Sequence, residues 1–443
     1  MIPLTLLIMP IGTASAGALP ADVSRHVLDN GLTIYLAEMD TPGVVSYQSW
    51  VEVGSKDEVE AGTTGFAHFF EHLMFYGSEE LPRADREARM LRTGAEENAW
   101  TWVDDTCYHQ VVAADALPEI IAIEADRFQS LHVTAEDVQK ESGAVHGEYR
   151  KGRTSPWERT HDALYETAFT THTYHHSTIG FEEDILQMPK QVELAHAFYE
   201  LHYRPENTRI VVAGDIDAEA TLARMTEAYG PWTPATEEAP PIPEEPPQEE
   251  ERRVQVDWDL GPVNPHLMIG WKVPGWDPTS PDSAALDLVG ELLLSDVAPL
   301  HRKLVVDEAR VYGLSGGDWG MQDPHLFTLI AELKSAEDLA AVEADLDAAV
   351  LALLDLDEAT VAAARDNALR RTTIELDNPR AVANHIGQFT RGTPEPAVID
   401  TWYANYAALG PEDVKRVVEA YFVAEGRTVS VLDPTALAEE GDE

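Results

Sequence analysis

The chain has a single cysteine, Cys107, in 443 residues, so no internal disulfide staples the fold. Basic residues are scarce: 31 Lys and Arg stand against 79 Asp and Glu, giving a formal net charge of −48 at pH 7. Such a surface repels phosphate, which argues against nucleic acid as a partner and disfavours docking on an anionic membrane. No segment reaches about 18 consecutive apolar residues, so no stable membrane insertion is expected. An acidic, Lys-poor surface suits a salty environment, where counter-ions screen its self-repulsion. What is present is an ordinary 44% hydrophobic content, ample for more than one core. At about 100–200 residues per domain, the length implies two or three domains.

The N-terminus reads as an export signal. An apolar stretch from Ile2 to Ile11 is followed by Ala14-Ser15-Ala16, a small-residue cleavage pattern. Cleavage fits equally after Ala16 or Ala18, although no Lys or Arg precedes the apolar stretch. A signal peptide is expected over 1–18, and a periplasmic or secreted protein with it. From Thr233 to Arg253, six prolines alternate with seven glutamates. Such a stretch cannot pack a core and reads as an extended, self-repelling linker. The expected organisation is therefore an N-terminal half over 19–232, a linker over 233–253 and a C-terminal half over 254–443.

The halves read as a repeat. In the first, a helical pattern through Ala197, Phe198 and Tyr203 leads to the β-rich run from Asn207 to Asp215. In the second, Val417, Val418 and Tyr421 lead to the run from Arg427 to Asp433. Each half also opens with strand-like segments, Val27 to Leu36 with the turn Asp29-Asn30-Gly31, then Val254 to Trp258 and His266 to Trp271. Long helical patterns follow, such as Leu117 to Leu131 and Ala336 to Leu354. Strands and helices do not alternate strictly, so the expected class is α+β, each half a largely antiparallel sheet with packed helices.

Chemistry concentrates between Thr64 and Phe75. His68 and His72 are four apart and share one face of a helix, where two imidazoles can hold one zinc ion. Glu71 lies between them in sequence and can stand beside the metal as a general base. The order is His-x-x-Glu-His. Catalytic zinc usually takes a third protein ligand and keeps one open position. Glu141 and Glu148 are seven apart, two turns along one helical face. Glu148 could bind the metal while Glu141 supports the site from behind.

With these residues in view, the chain resembles the pitrilysin/insulinase-type zinc peptidases, the inverzincins. More narrowly, it resembles the short bacterial members related to the mitochondrial processing peptidase. The resemblance spans nearly the whole mature chain and is densest from Thr64 to Asp217. In that family a Glu about 76 residues beyond the second His completes the ligand set, and Glu148 stands 76 residues after His72. The resemblance implies one zinc per chain on His68, His72 and Glu148, with Glu71 as base and Glu141 behind them. It implies a zinc endopeptidase acting on unfolded peptides. A non-catalytic peptide-binding or assembly subunit is the alternative, although such relatives typically lose the zinc motif.

The segment Gly94 to Thr101 matches a family edge strand to which the substrate adds as a further strand. Asn98 and Ala99 are then expected to contact substrate. Relatives also carry an Arg/Tyr pair seven residues apart in the second half. Tyr312 fits the Tyr, but Val305 occupies the Arg position, and Arg302 and Arg310 have the wrong spacing. The second half has no His-x-x-Glu-His, so it builds no zinc site of this type. Family members enclose peptides between four such halves, which implies a homodimer or a heterodimer with a related inactive chain. Cys107 is expected in the core, and His172, His175 and His176 are expected to make structural hydrogen bonds.

Overall fold

The computed structural model describes residues 18–234 and 237–434. All but the last residue of the expected signal peptide, residues 1–18, lies outside the described residues. Two sheets organise the chain. The first holds β1 (Val23–Val27), β2 (Thr33–Glu38), β3 (Val44–Val51), β4 (Glu96–Thr101), β5 (Thr106–Ala113) and β6 (Thr208–Gly214). The second holds β7 (Arg252–Gln255), β8 (His266–Val273), β9 (Val311–Gly317), β10 (His325–Leu333) and β11 (Arg427–Leu432). Their strand orders are β1-β2-β6-β3-β5-β4 and β7-β11-β8-β10-β9. Apart from β1 the two orders superpose position by position. Each has one parallel pair, β2 with β6 and β7 with β11, among otherwise antiparallel neighbours.

The repeat read from the two β-rich runs thus corresponds to β6 and β11, which hold equivalent places in the two sheets. Ile210-Val211-Val212-Ala213 is apolar without alternation because both faces of β6 are covered. Ile210 and Val212 point into a core within the first half. Val211 and Ala213 point into a core shared with Leu267, Ile269 and the helices of the second half.

The halves exchange helices. Pro156–Ala168 belongs to the first half in sequence, yet Leu164, Tyr165 and Ala168 pack with Met268, Leu326 and Ile330 of the second sheet. Pro379–Phe389 belongs to the second half, and its Val382, Ala383 and Ile386 share a core with Trp50 and Val211 of the first sheet. Local chemistry begins each helix: Ser155 caps the first and Asn378 the second, each followed by a proline at the first helical position. Because each sheet needs a helix from the other half, the two halves form one packed body.

The proline- and glutamate-rich segment carries no regular structure from 238 to 250 but is fastened down. Glu245 accepts hydrogen bonds from the backbone N–H groups of Thr170, Thr171 and His172 at 2.8–3.0 Å. Arg252 and Arg253 already belong to β7.

Candidate metal centre and edge strand

The helix Phe66–Leu73 starts after Gly65 and buries Phe66, Phe69, Phe70 and Leu73 in the first half. Those four positions form the apolar stripe of an amphipathic helix, which turns His68 and His72 to the opposite side. The buried Glu58 carboxylate accepts from the N–H groups of Gly65 and Ala67, both at 2.7 Å, and so holds the start of the helix. Gly180 runs against the same turn: at φ +80° a side chain there would be strained, and its Cβ would lie 2.5 Å from the Thr64 carbonyl carbon. Thr64 Oγ1 in turn donates to Asp184 at 2.6 Å.

The helix Ala135–Gly152 opens with a capping box between Thr134 and Asp137 and crosses the histidine helix. It brings Glu148 and Glu141 to the two imidazoles. Glu148 Oε2 lies 3.5 Å from His68 Nε2 and 3.6 Å from His72 Nε2, and the two Nε2 atoms are 3.3 Å apart. Tetrahedral coordination with bonds of about 2.0–2.1 Å puts neighbouring ligand atoms about 3.3–3.4 Å apart. The three donor atoms therefore form a triangle of the size that one zinc ion requires. Among the described residues this is the one group of three or more such side chains close enough to share a metal.

The hydrogen bonds behind the triangle suit ligation. His72 Nδ1 and Glu141 Oε1 are 2.9 Å apart, and the Tyr76 hydroxyl donates to Glu141 Oε2 at 2.8 Å. With its Nδ1 held by a carboxylate, His72 turns Nε2 toward the triangle. The bond to His72 holds the Glu141 carboxyl below its usual range. Burial, with the neighbouring His72, pushes His68 down to about 4 and keeps its imidazole neutral. Burial raises the Glu71 carboxyl. Its Oε2 accepts from Thr101 Oγ1 at 2.8 Å, which joins the histidine helix to β4.

β4 is the free edge of the first sheet. Asn98 is exposed on it, and its Oδ1 accepts from the Ala99 N–H at 2.9 Å. The Ala99 methyl is buried in the core of the first half, so only its backbone remains for an incoming chain. The structure thus brings His68, Glu71, His72, Glu141 and Glu148 together and sets Asn98 and Ala99 on the adjoining strand. Among the described residues, no hydrogen bond or ring contact joins Tyr312 to this group. Tyr312 is 56% exposed on β9, the corresponding edge of the second sheet, under the Lys334 ammonium.

Three residues of the site escaped the sequence reading. Glu58, Tyr76 and Thr101 act through contacts across loops and sheets, and no spacing rule reports these. Cys107 is buried in the core between the halves. His172, His175 and His176 make structural contacts: His172 Nδ1 accepts from the Tyr174 N–H and its Nε2 lies 3.3 Å from Asp323 Oδ2, His175 faces the His172 carbonyl, and His176 faces the Ser177 carbonyl.

Two models of one family match the chain. The insulinase model (peptidase family M16) covers residues 35–181, and the M16 inactive-domain model covers 191–367. The chain belongs to this pitrilysin/insulinase-type family. It is 26% identical to the zinc protease PqqE of Helicobacter pylori over 92% of both chains. It is 24% identical to the rat mitochondrial-processing peptidase subunit beta, over 92% of this chain and 83% of the relative. In structure it is similar to a protease from Helicobacter pylori, with a TM-score of 0.87, 25% identity, and coverage of 94% of this chain and 100% of that one. The fold also matches the periplasmic protease PqqL of Escherichia coli, with a TM-score of 0.74 and 17% identity over 96% of this chain and 49% of that one.

Proposed function

We propose that the chain is a zinc-dependent endopeptidase that hydrolyses unfolded peptides. The observation that carries this reading is the zinc-sized triangle of His68, His72 and Glu148 beside the Glu71 carboxylate, which is itself hydrogen-bonded to the open edge strand β4. A zinc ion held there would polarise the scissile carbonyl and acidify a bound water. Glu71 accepts a proton from the attacking water and returns it to the leaving amine. Thr101 holds one oxygen of Glu71, so the other is turned to this work. The peptide lies along β4 as an added strand, bound mainly through its backbone, which suits substrates of varied sequence. Glu141 and Tyr76 keep His72 in the ligating orientation.

The protein is exported to the periplasm or beyond and works as a homodimer, or with a related chain lacking the motif. No helix among the described residues is long and apolar enough to cross a membrane. The fold match to a periplasmic protease supports the same location. The test is cleavage of quenched, unstructured peptides by the purified protein, with and without a zinc chelator. Glu71→Gln is expected to lower the rate by about 10²–10⁴-fold. Chelator-insensitive cleavage, or full activity in Glu71→Gln, contradicts the proposal.

A further inference from the structure

Behind β4 lies a cavity of about 400 Å³, in the joint between the halves. Successive residues of a strand face opposite sides of its sheet. Thr101 bonds Glu71 on one face, so Trp100 points to the other, where it meets Trp50 edge-on with ring centroids 5.1 Å apart. From the second half come Trp276, Trp319 and Trp402. These rings are held in place. Trp319 Nε1 donates to Thr328 Oγ1 at 2.8 Å, and Trp276 packs against Trp402 at 5.5 Å. Trp319 is nevertheless 38% exposed, so part of the aromatic wall is open.

The charges in this aromatic wall do not balance. Arg391 is taken by Asp104 and Asp105 at 3.2 and 2.9 Å, and Arg371 by Glu291 at 2.8 Å. Burial pushes His385 down to about 4, which leaves it neutral. Asp318 is paired with His325 at 2.7 Å. Asp287, on the helix Pro281–Leu294, lines the cavity without an ion pair among the described residues. It is exposed and opens onto the cavity. Its neighbours are the Tyr406 hydroxyl and, more distantly, the Arg371 guanidinium, which Glu291 already holds.

A tryptophan-lined cavity that also carries a carboxylate without an ion pair is complementary to one ligand class. The ring faces attract a cation, the carboxylate pairs with it, and a hydrated point charge gains less there than a broad, weakly hydrated one. We infer that the cavity between the halves binds an organic cation, a guanidinium or alkylammonium group, through Asp287 and the surrounding tryptophans. The cation can be free or can be the basic side chain of a peptide. The site is separate from the metal centre and does not depend on the peptidase reading.

The test is binding of N-acetyl-arginine amide to the full-length protein, followed by tryptophan fluorescence and calorimetry. The neutral isostere N-acetyl-citrulline amide serves as comparison. Saturable binding of the arginine compound, tighter than the citrulline compound by about tenfold or more, is expected. Asp287→Asn should remove that preference at an unchanged melting temperature. If this variant fails to fold, the wild-type comparison of the two amides still decides the matter. Repeating it with an unstructured pentapeptide containing one Arg separates a peptide side chain from a free cation as the natural source. Equal binding of the two amides, or no saturable binding of either, overturns the inference.

Discussion

The Thr101 hydroxyl donates to the Glu71 carboxylate at 2.8 Å, and this bond ties the histidine helix to the edge strand β4. It sets the orientation of the proposed base relative to the strand on which the peptide lies. Thr101→Val should therefore lower kcat by roughly tenfold with little change in KM, because a hydrogen bond to a charged group is lost. Thr101→Ser keeps the hydroxyl and should restore most of the rate. A loss confined to KM would show that Thr101 serves substrate binding instead.

In the proposed centre Glu141 would act on the metal through His72, to which it is hydrogen-bonded at 2.9 Å. Glu141→Gln should weaken zinc retention by about 10- to 100-fold, read by competition with a chromophoric chelator. Tyr76→Phe removes only the hydroxyl that supports Glu141 and should weaken retention less. Equal affinity in all three proteins would contradict this arrangement.

The joint between the halves is sealed by a buried charge cluster. Burial alone would raise the Asp105 carboxyl, but the guanidiniums of Arg209 and Arg391 and the Lys56 ammonium outweigh it and hold it below the usual range. Such a group contributes fully above the unfolded value of about 3.9 and loses its contribution as pH falls through the lower folded value. Asp105→Asn should cost about 3–5 kcal/mol at pH 7, by urea denaturation, because it leaves buried cations unpaired. The gap between the two proteins should narrow as pH drops below about 4. A gap that widens on acidification would refute the sign.

Gly387 lies where the exchanged helix Pro379–Phe389 crosses Trp50. A Cβ added at this position would come within 2.2 Å of the indole. Gly387→Ala should destabilise the protein by about 1–3 kcal/mol through overpacking. An unchanged melting temperature would show that the halves yield more easily than their shared core implies.

The candidate metal centre was legible where its residues follow a helical period. His68, Glu71 and His72 are close in sequence, and four-residue spacing is enough to place two imidazoles on one face. Glu148 was different, since its 76-residue separation has meaning only through the family resemblance. Glu58 and Thr101 were out of reach because the contacts that give them a role are tertiary. The helix exchange was hidden for a related reason: an apolar stripe shows that a helix is covered, not whose sheet covers it. The glutamate run read as self-repelling, yet Glu245 finds three backbone N–H groups that composition does not reveal. Tyr312 was matched by type alone, and it sits on the opposite edge strand with Lys334.

The most direct test of the central claim is a zinc titration of metal-free protein, with peptide cleavage measured at each addition. The account predicts no cleavage at the start and a linear rise that saturates at one zinc per chain, with Glu71→Gln binding the same single zinc and remaining inactive. Cleavage without zinc, or a chain that binds no zinc through His68, His72 and Glu148, would contradict it.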